Sequence, residues 1–426
     1  MFLSFLLHLA PLAAASVPHR RQQVNQNPTV GGDPNNGWQE FPQVSDATAY
    51  PGWVVDQDVG AKLVRLTLFL TIVSESNIQV KPLYQTSGLN NSEVTRAVTI
   101  LPGRNRDCWY YWDVINNALY NATYHDSSIR RENISVMAPC FFTQPDMQAG
   151  AAEEDVLLWG MTTWIDGKEN ILPSSVPNFG SFDVLDALVA YYLDTGTFPN
   201  LNTIVVGGHS AGGQMAQRYA TLRKSTENDN RLHFWIANPG SLCWLTDDRP
   251  LPDSSCSDAD QYKYGLAGNF PAYATSDTNK LGRDGIVSRY NGRNLNYAWG
   301  TADNGPGDIS CEAFTQGRTH LERGRNFVAM LQNLTGGIPS LSTVDWIEGV
   351  SHSNEGMTSS EAGIDKLFRY VSNGTSGTVN APSASSSSSS STSSLNPFQT
   401  GDATNTRPSH FIFFLVLPLV FPLTVW

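Results

Sequence analysis

Gly208-His209-Ser210-Ala211-Gly212 stands between the apolar run Thr203-Ile204-Val205-Val206-Gly207 and the helix-like stretch Gln214-Met215-Ala216-Gln217-Arg218-Tyr219-Ala220. Strand, tight turn and helix in that order put a serine at the apex. A serine on such an elbow projects its hydroxyl above the sheet, and the amide of the next residue, Ala211, points toward the same space. Gly208 and Gly212 leave no Cβ where strand and helix come close, and glycine relieves the strain of the turn. A Gly-x-Ser-x-Gly pattern alone occurs by chance; the flanking strand and helix make it specific.

Apolar runs and breakers predict strands at 61–73, 78–84, 96–101, 134–142, 203–207, 233–237, 294–300 and 343–350. Helical patterns fall at 109–122, 182–194, 213–224, 321–334 and 363–371. An early strand pair followed by alternating strand and helix, with short buried strands, predicts an α/β fold: a mostly parallel eight-stranded sheet with helices on both faces. Ligands of such sheets bind beyond the carboxyl ends of the strands, where Ser210 lies.

With the elbow and this order of elements, residues 50–375 resemble a secreted fungal member of the α/β-hydrolase superfamily. The resemblance implies a serine nucleophile followed in chain order by an acid and a histidine, with an oxyanion hole shared between the elbow and the loop after the third strand. Ser210 needs a base, because a serine hydroxyl is a poor nucleophile until its proton is taken. His233, His320 and His352 lie downstream. His352 follows the last apolar strand in the loop Ser351-His352-Ser353-Asn354, where the family places its base. His233 opens a strand, and His320 precedes an ordinary amphipathic stretch. Asp303, where the penultimate strand gives way to loop, is the expected acid, with Asp308 in Gly305-Pro306-Gly307-Asp308 the alternative. The loop Leu101-Pro102-Gly103-Arg104 has Pro102 where the family often carries histidine, and the expected oxyanion donors are the amides of Ala211 and Arg104, with Gly103 an alternative to the latter. Arg104 and Arg106 either hold a carboxylate or are solvated. The aromatic stretch 158–164 and Cys243-Trp244 are candidate borders of a pocket, and His209 is expected to pack beneath the turn. The expected chemistry is that of a carboxylesterase-like serine hydrolase working through an acyl-enzyme on a small or polymer-linked acyl ester, without metal or organic cofactor. A peptidase or amidase would use the same residues, and a non-catalytic surface-binding protein could keep the fold.

Residues 1–17 combine an apolar stretch with small residues at its end and predict a secretory signal peptide, followed by an extension at 18–49. A Ser-rich stalk and spacer occupy 376–410, and the apolar tail 411–426 predicts a removable GPI-attachment signal with Gly401 as attachment residue. The expected location is the cell surface or cell wall, with the lipid anchor joining the protein to the membrane. In that setting the Asn-x-Ser/Thr sites Asn90, Asn121, Asn133, Asn333 and Asn373 are expected at the surface as glycan acceptors. A formal charge of −12 argues against nucleic acid as a partner, which requires basic patches. Among the five cysteines no Cys-x-x-Cys occurs, which speaks against zinc. Cys108 follows one predicted strand and Cys140 ends the next, so a bridge between them is expected, with Cys256 to Cys311 the second and Cys243 free. Spacing alone does not fix the connectivity.

Overall fold

The central strands are buried along nearly their whole length because both faces of the sheet are covered. A computed structural model describes residues 61–69, 78–86, 89–148, 156–176, 178–371 and 378–380. The expected signal peptide, N-terminal extension, stalk, attachment residue Gly401, apolar tail and Asn373 lie outside the described residues.

The strands are β1 (Ala61–Phe69), β2 (Ile78–Thr86), β3 (Arg96–Leu101), β4 (Ile134–Pro139), β5 (Thr203–His209), β6 (Leu232–Ala237), β7 (Asn294–Gly300), β8 (Ser342–Ile347) and β9 (Thr378–Asn380). They form one sheet in the order β1-β2-β4-β3-β5-β6-β7-β8-β9. β2 is antiparallel to both β1 and β4, and every other pairing is parallel. An antiparallel opening pair, the exchange of β3 with β4 and a parallel run onward make this the α/β-hydrolase fold. Among the described residues the expected eight strands become nine, because Thr378–Asn380 adds a short edge strand beside β8 and carries the sheet past residue 375.

The helices of the described residues are α1 (Cys108–His125), α2 (Gln144–Gln148), α3 (Ser181–Leu193), α4 (Ala211–Leu222), α5 (Ala272–Asn291), α6 (Cys311–Phe314), α7 (His320–Asn333), α8 (Asn354–Ser359) and α9 (Glu361–Ile364). The last predicted helix is α9 running into a π-turn at Asp365–Arg369. α5 has no counterpart in the sequence reading: it is polar over most of its length and kinks at Gly282, where φ is 61°.

Alternation within the strands divides the core in two. Leu101, Ile204, Val206, Phe234 and Ile236 pack on one face with Trp159, Phe182 and Met215. Val98, Ile100, Val205, Trp235 and Ala237 pack on the other with Trp112, Ile115 and Phe142. Trp159, Trp164 and Trp244 are buried within the first cluster, so the aromatic stretch 158–164 and Cys243-Trp244 build core. Trp164 stacks on Phe141 at 5.6 Å.

Both expected disulfides are present, Cys108–Cys140 and Cys256–Cys311, and Cys243 is a buried free thiol. The first ties the start of α1 to the end of β4. The second clamps the excursion between β6 and α5 to the start of α6. Sequence separations of 32 and 55 residues correspond to about 4 kcal/mol of loop-closure stabilisation each. Asn90 and Asn333 are exposed, and Asn121 and Asn133 are partly so. Among the described residues, no helix is long and apolar enough to cross a membrane.

Candidate active site

The elbow is built by close backbone approach. A Cβ on Gly208 would lie 2.6 Å from the carbonyl carbon of Gly212, and one on Gly212 would lie 2.2 Å from the carbonyl oxygen of Leu101. Only glycine lets β5, α4 and the chain leaving β3 meet here. Ser210 is held at φ 61°, ψ −121°, a conformation that costs a non-glycine residue about 1–3 kcal/mol. Its N–H donates to Ala237 at 2.9 Å and its carbonyl accepts from Gln214 at 3.0 Å, so neighbouring strand and helix hold the strain in place. Although Ser210 is the N-cap of α4, its side chain makes no capping bond. The hydroxyl is thereby left for chemistry.

β5, β6, β7 and β8 are neighbours in the sheet, so loops leaving their carboxyl ends converge. Ser210 follows β5, Asp303 follows β7 and His352 follows β8. His352 Nε2 lies 2.9 Å from Ser210 Oγ, and His352 Nδ1 lies 2.7 Å from Asp303 Oδ2. The Asp303 side chain is fully buried and that of His352 is about one-third exposed. Asn238, just beyond β6, fixes the other two loops: its Oδ1 accepts from Gly300 N–H at 2.8 Å and its Nδ2 donates to Ser351 at 3.3 Å. Sequence reading passed over Asn238, whose only signal is its place beside the turn residues Pro239 and Gly240.

Burial alone would raise the pKa of Asp303, but contact with His320 and His352 outweighs it and holds the carboxyl well below the usual range. Asp303 is therefore held as an anion at neutral pH. Asp308 is turned elsewhere, accepting from Ser241 and Tyr264 at 3.0 Å each and from the Ser310 amide. Geometry thus favours Asp303 of the two.

The remaining histidines separate clearly. His233 is the second residue of the central strand β6, at the amino-terminal end of that strand and against Tyr370. His209 is buried with its ring 4.4 Å from that of His352, and burial, reinforced by His352, holds its pKa well below the ordinary value. Its Nε2 has no hydrogen-bond partner among the described residues, so this buried ring lies beside His352 rather than as the satisfied partner expected under the turn. His320, set aside in sequence as a base, makes a contact that its sequence position does not show: its Nδ1 lies 3.1 Å from Asp303 Oδ1 and its ring stacks on His352 at 4.1 Å.

On the candidate oxyanion side, Ala211 is the first residue of α4, where helix geometry leaves amides without an internal acceptor. The carbonyl oxygens of Leu101 and Pro102 press on Gly212, which places the loop bearing Arg104 against the start of α4. Arg104 is exposed within the turn that Arg106 N–H closes on the Gly103 carbonyl at 2.9 Å. Gly103 packs so closely on Tyr111 that a Cβ would lie 2.4 Å from the phenol oxygen. Of the two arginines, Arg106 holds a carboxylate: its Nε and Nη2 donate to Asp146 at 2.7 and 2.9 Å, and both side chains are fully buried. That pair and the Cys108–Cys140 bridge anchor the far end of the loop.

No family model matches this chain, and no curated protein matches it. Solved structures similar to it include poly(aspartic acid) hydrolase-1 from Sphingomonas sp. KT-1, with 20% identity over 70% of this chain and 95% of that chain at a TM-score of 0.46. A poly(3-hydroxybutyrate) depolymerase from Bordetella parapertussis shares 16% identity over 72% of this chain and 89% of that chain, TM-score 0.47. A siderophore hydrolase from Aspergillus nidulans shares 12% over 70% and 89%, TM-score 0.35.

Proposed function

We propose that this protein is a serine hydrolase acting on carboxylic esters through an acyl-enzyme. The observation that carries the reading is the continuous line from Ser210 Oγ through His352 to Asp303, at 2.9 and 2.7 Å. Ser210 attacks the acyl carbon as His352 Nε2 takes its proton, and Asp303 holds the ring and stabilises the imidazolium. The amides of Ala211 and Arg104 receive the developing oxyanion, a role that requires donors about 3 Å from that oxygen. His352 then protonates the leaving alcohol. Water, deprotonated by the same ring, releases the acid and restores the serine.

The test is turnover of p-nitrophenyl esters and of anilides of the same acids by the wild type, Ser210→Ala and His352→Ala. Ester turnover lost in both variants and exceeding anilide turnover supports the reading. Equal turnover by Ser210→Ala overturns it, and preference for the anilide reassigns the enzyme to amides.

We further propose that the enzyme works outside the cell, glycosylated at Asn90, Asn121, Asn133, Asn333 and Asn373, and tethered through a lipid at Gly401. Phosphatidylinositol-specific phospholipase C should release it from cells. Retention after digestion, with residues 411–426 still detected by mass spectrometry, contradicts the tether.

A further inference from the structure

Asp303 is a buried carboxylate with two oxygens to satisfy, and His352 occupies only Oδ2. Oδ1 faces His320 Nδ1 at 3.1 Å, outside the alignment of a full hydrogen bond. The two imidazoles lie nearly parallel, centroids 4.1 Å apart and planes 24° from one another. One aspartate therefore carries two stacked histidines, one on each oxygen.

The placement of His320 is over-determined. It is the first residue of α7, its N–H donates to the Gly305 carbonyl at 2.9 Å, and the next amide, that of Leu321, donates to the Asp303 carbonyl at 3.1 Å. Thr319 caps the helix by accepting from Glu322 N–H. Gly307, at φ 60°, comes so near that a Cβ would lie 2.6 Å from His320 Nε2. One turn along, Arg323 donates to the carbonyls of Pro306 and Asp308 at 2.6 and 2.7 Å and to that of Gly240. The loop that bears Asp303 is thus fastened to the helix that begins with His320.

We propose that His320 is a positioning residue of this site: it holds the second oxygen of Asp303 and forms the shelf on which the His352 ring rests. The inference rests on the hydrolytic reading of Ser210. A carboxylate bonded through one oxygen can still turn about its own axis, and a second donor removes that freedom. The charged and titratable groups facing His320 are Asp303, His352, Arg323 and His209. Burial, with His352 and Arg323, lowers the pKa of His320 against the opposing pull of Asp303. A neutral ring turns its Nδ1 edge toward Asp303 without setting a second cation beside the imidazolium that forms on His352.

Two substitutions separate donor from shelf. His320→Phe keeps a flat ring and removes the N–H, whereas His320→Asn places an amide nitrogen close to where Nδ1 lies. Steady-state ester hydrolysis across the pH range, with circular dichroism to verify folding, should show kcat falling about 10–100-fold in His320→Phe with KM little changed, the scale expected when a reacting group is misplaced by a fraction of an ångström to an ångström. His320→Asn should recover most of that loss and return the acid limb of the kcat profile to its wild-type position. Wild-type kcat and acid limb in His320→Phe overturn the inference, as does equal impairment of both folded variants. Nitrogen-15 histidine spectra of the wild type give an independent reading: a proton on Nδ1 of His320 is expected, and a proton on Nε2 alone contradicts it. Ser210→Ala run alongside distinguishes the two levels, since full turnover by that variant refutes the hydrolase reading itself, whereas its inactivity beside an unimpaired His320→Phe refutes only the role of His320.

Discussion

Replacing Gly212 with alanine tests whether the elbow and the loop after β3 form one mechanical unit. The new Cβ would stand 2.2 Å from the carbonyl oxygen of Leu101 and 2.9 Å from that of Pro102. Contacts under 3.0 Å are essentially never seen for real Cβ atoms, so the Leu101 carbonyl must retreat by at least 3.0 − 2.2 = 0.8 Å. Both opposing atoms are backbone, and Arg104 lies two residues beyond Pro102. A shift of that size moves the candidate donor out of the roughly 3 Å range an oxyanion requires, and loss of one such donor costs about 100-fold or more in kcat. Overpacking adds about 1–3 kcal/mol of destabilisation. Steady-state hydrolysis of a p-nitrophenyl ester should therefore show Gly212→Ala with kcat down about 100-fold, KM changed far less, and a lowered unfolding midpoint. A variant with wild-type kcat and midpoint would refute the reasoning, because the backbone could then absorb the methyl group without moving the donor.

Asp107, beside the same loop, is buried without a side-chain capping bond, and burial raises its pKa from 3.8 to about 7. A carboxyl whose pKa is raised on folding costs stability as pH climbs from its ordinary value through the raised one, so Asp107→Asn should stabilise the fold more at pH 8 than at pH 5, by about 2–3 kcal/mol; equal effects in urea denaturation at the two pH values would contradict this. Asn238→Ala strips the Gly300 amide of its acceptor and frees Ser351, and should cost about 1–3 kcal/mol while lowering kcat through both loops; unchanged activity would show that other contacts hold Asp303 and His352. Cys243 is fully buried and its thiol is pushed up to about 12, so a thiol reagent at pH 8 should label it only after unfolding; rapid labelling of the native protein would contradict its placement.

Much of this arrangement is written locally in the chain. β3 and β7 are largely apolar runs ended by turn residues, and their bounds match the sequence expectation because packed layers on both faces of the sheet bury every residue of each. The elbow is legible for the same reason: Gly208, Ser210 and Gly212 are local answers to a local steric problem. α5 is not legible, since threonine, serine and asparagine with Gly282 and Gly285 mimic a loop, and the burial of Ala274, Thr278, Ile286 and Tyr290 against the rest of the domain overrides that preference. His320 was missed because nothing near it in sequence marks its contact with Asp303; only the packing of α7 against the loop after β7 brings them together. Asp303 and Asp308, alike in sequence as turn aspartates, part company for the same tertiary reason.

The central claim is that Ser210 is a nucleophile. Treating the folded wild-type protein with a fluorophosphonate and mapping the adduct by tandem mass spectrometry tests it directly. One phosphonyl group on Ser210, absent when His352→Ala is treated identically, is the predicted result. An unmodified Ser210 in the presence of reagent that labels a reference serine hydrolase, or an adduct on another residue, would contradict it.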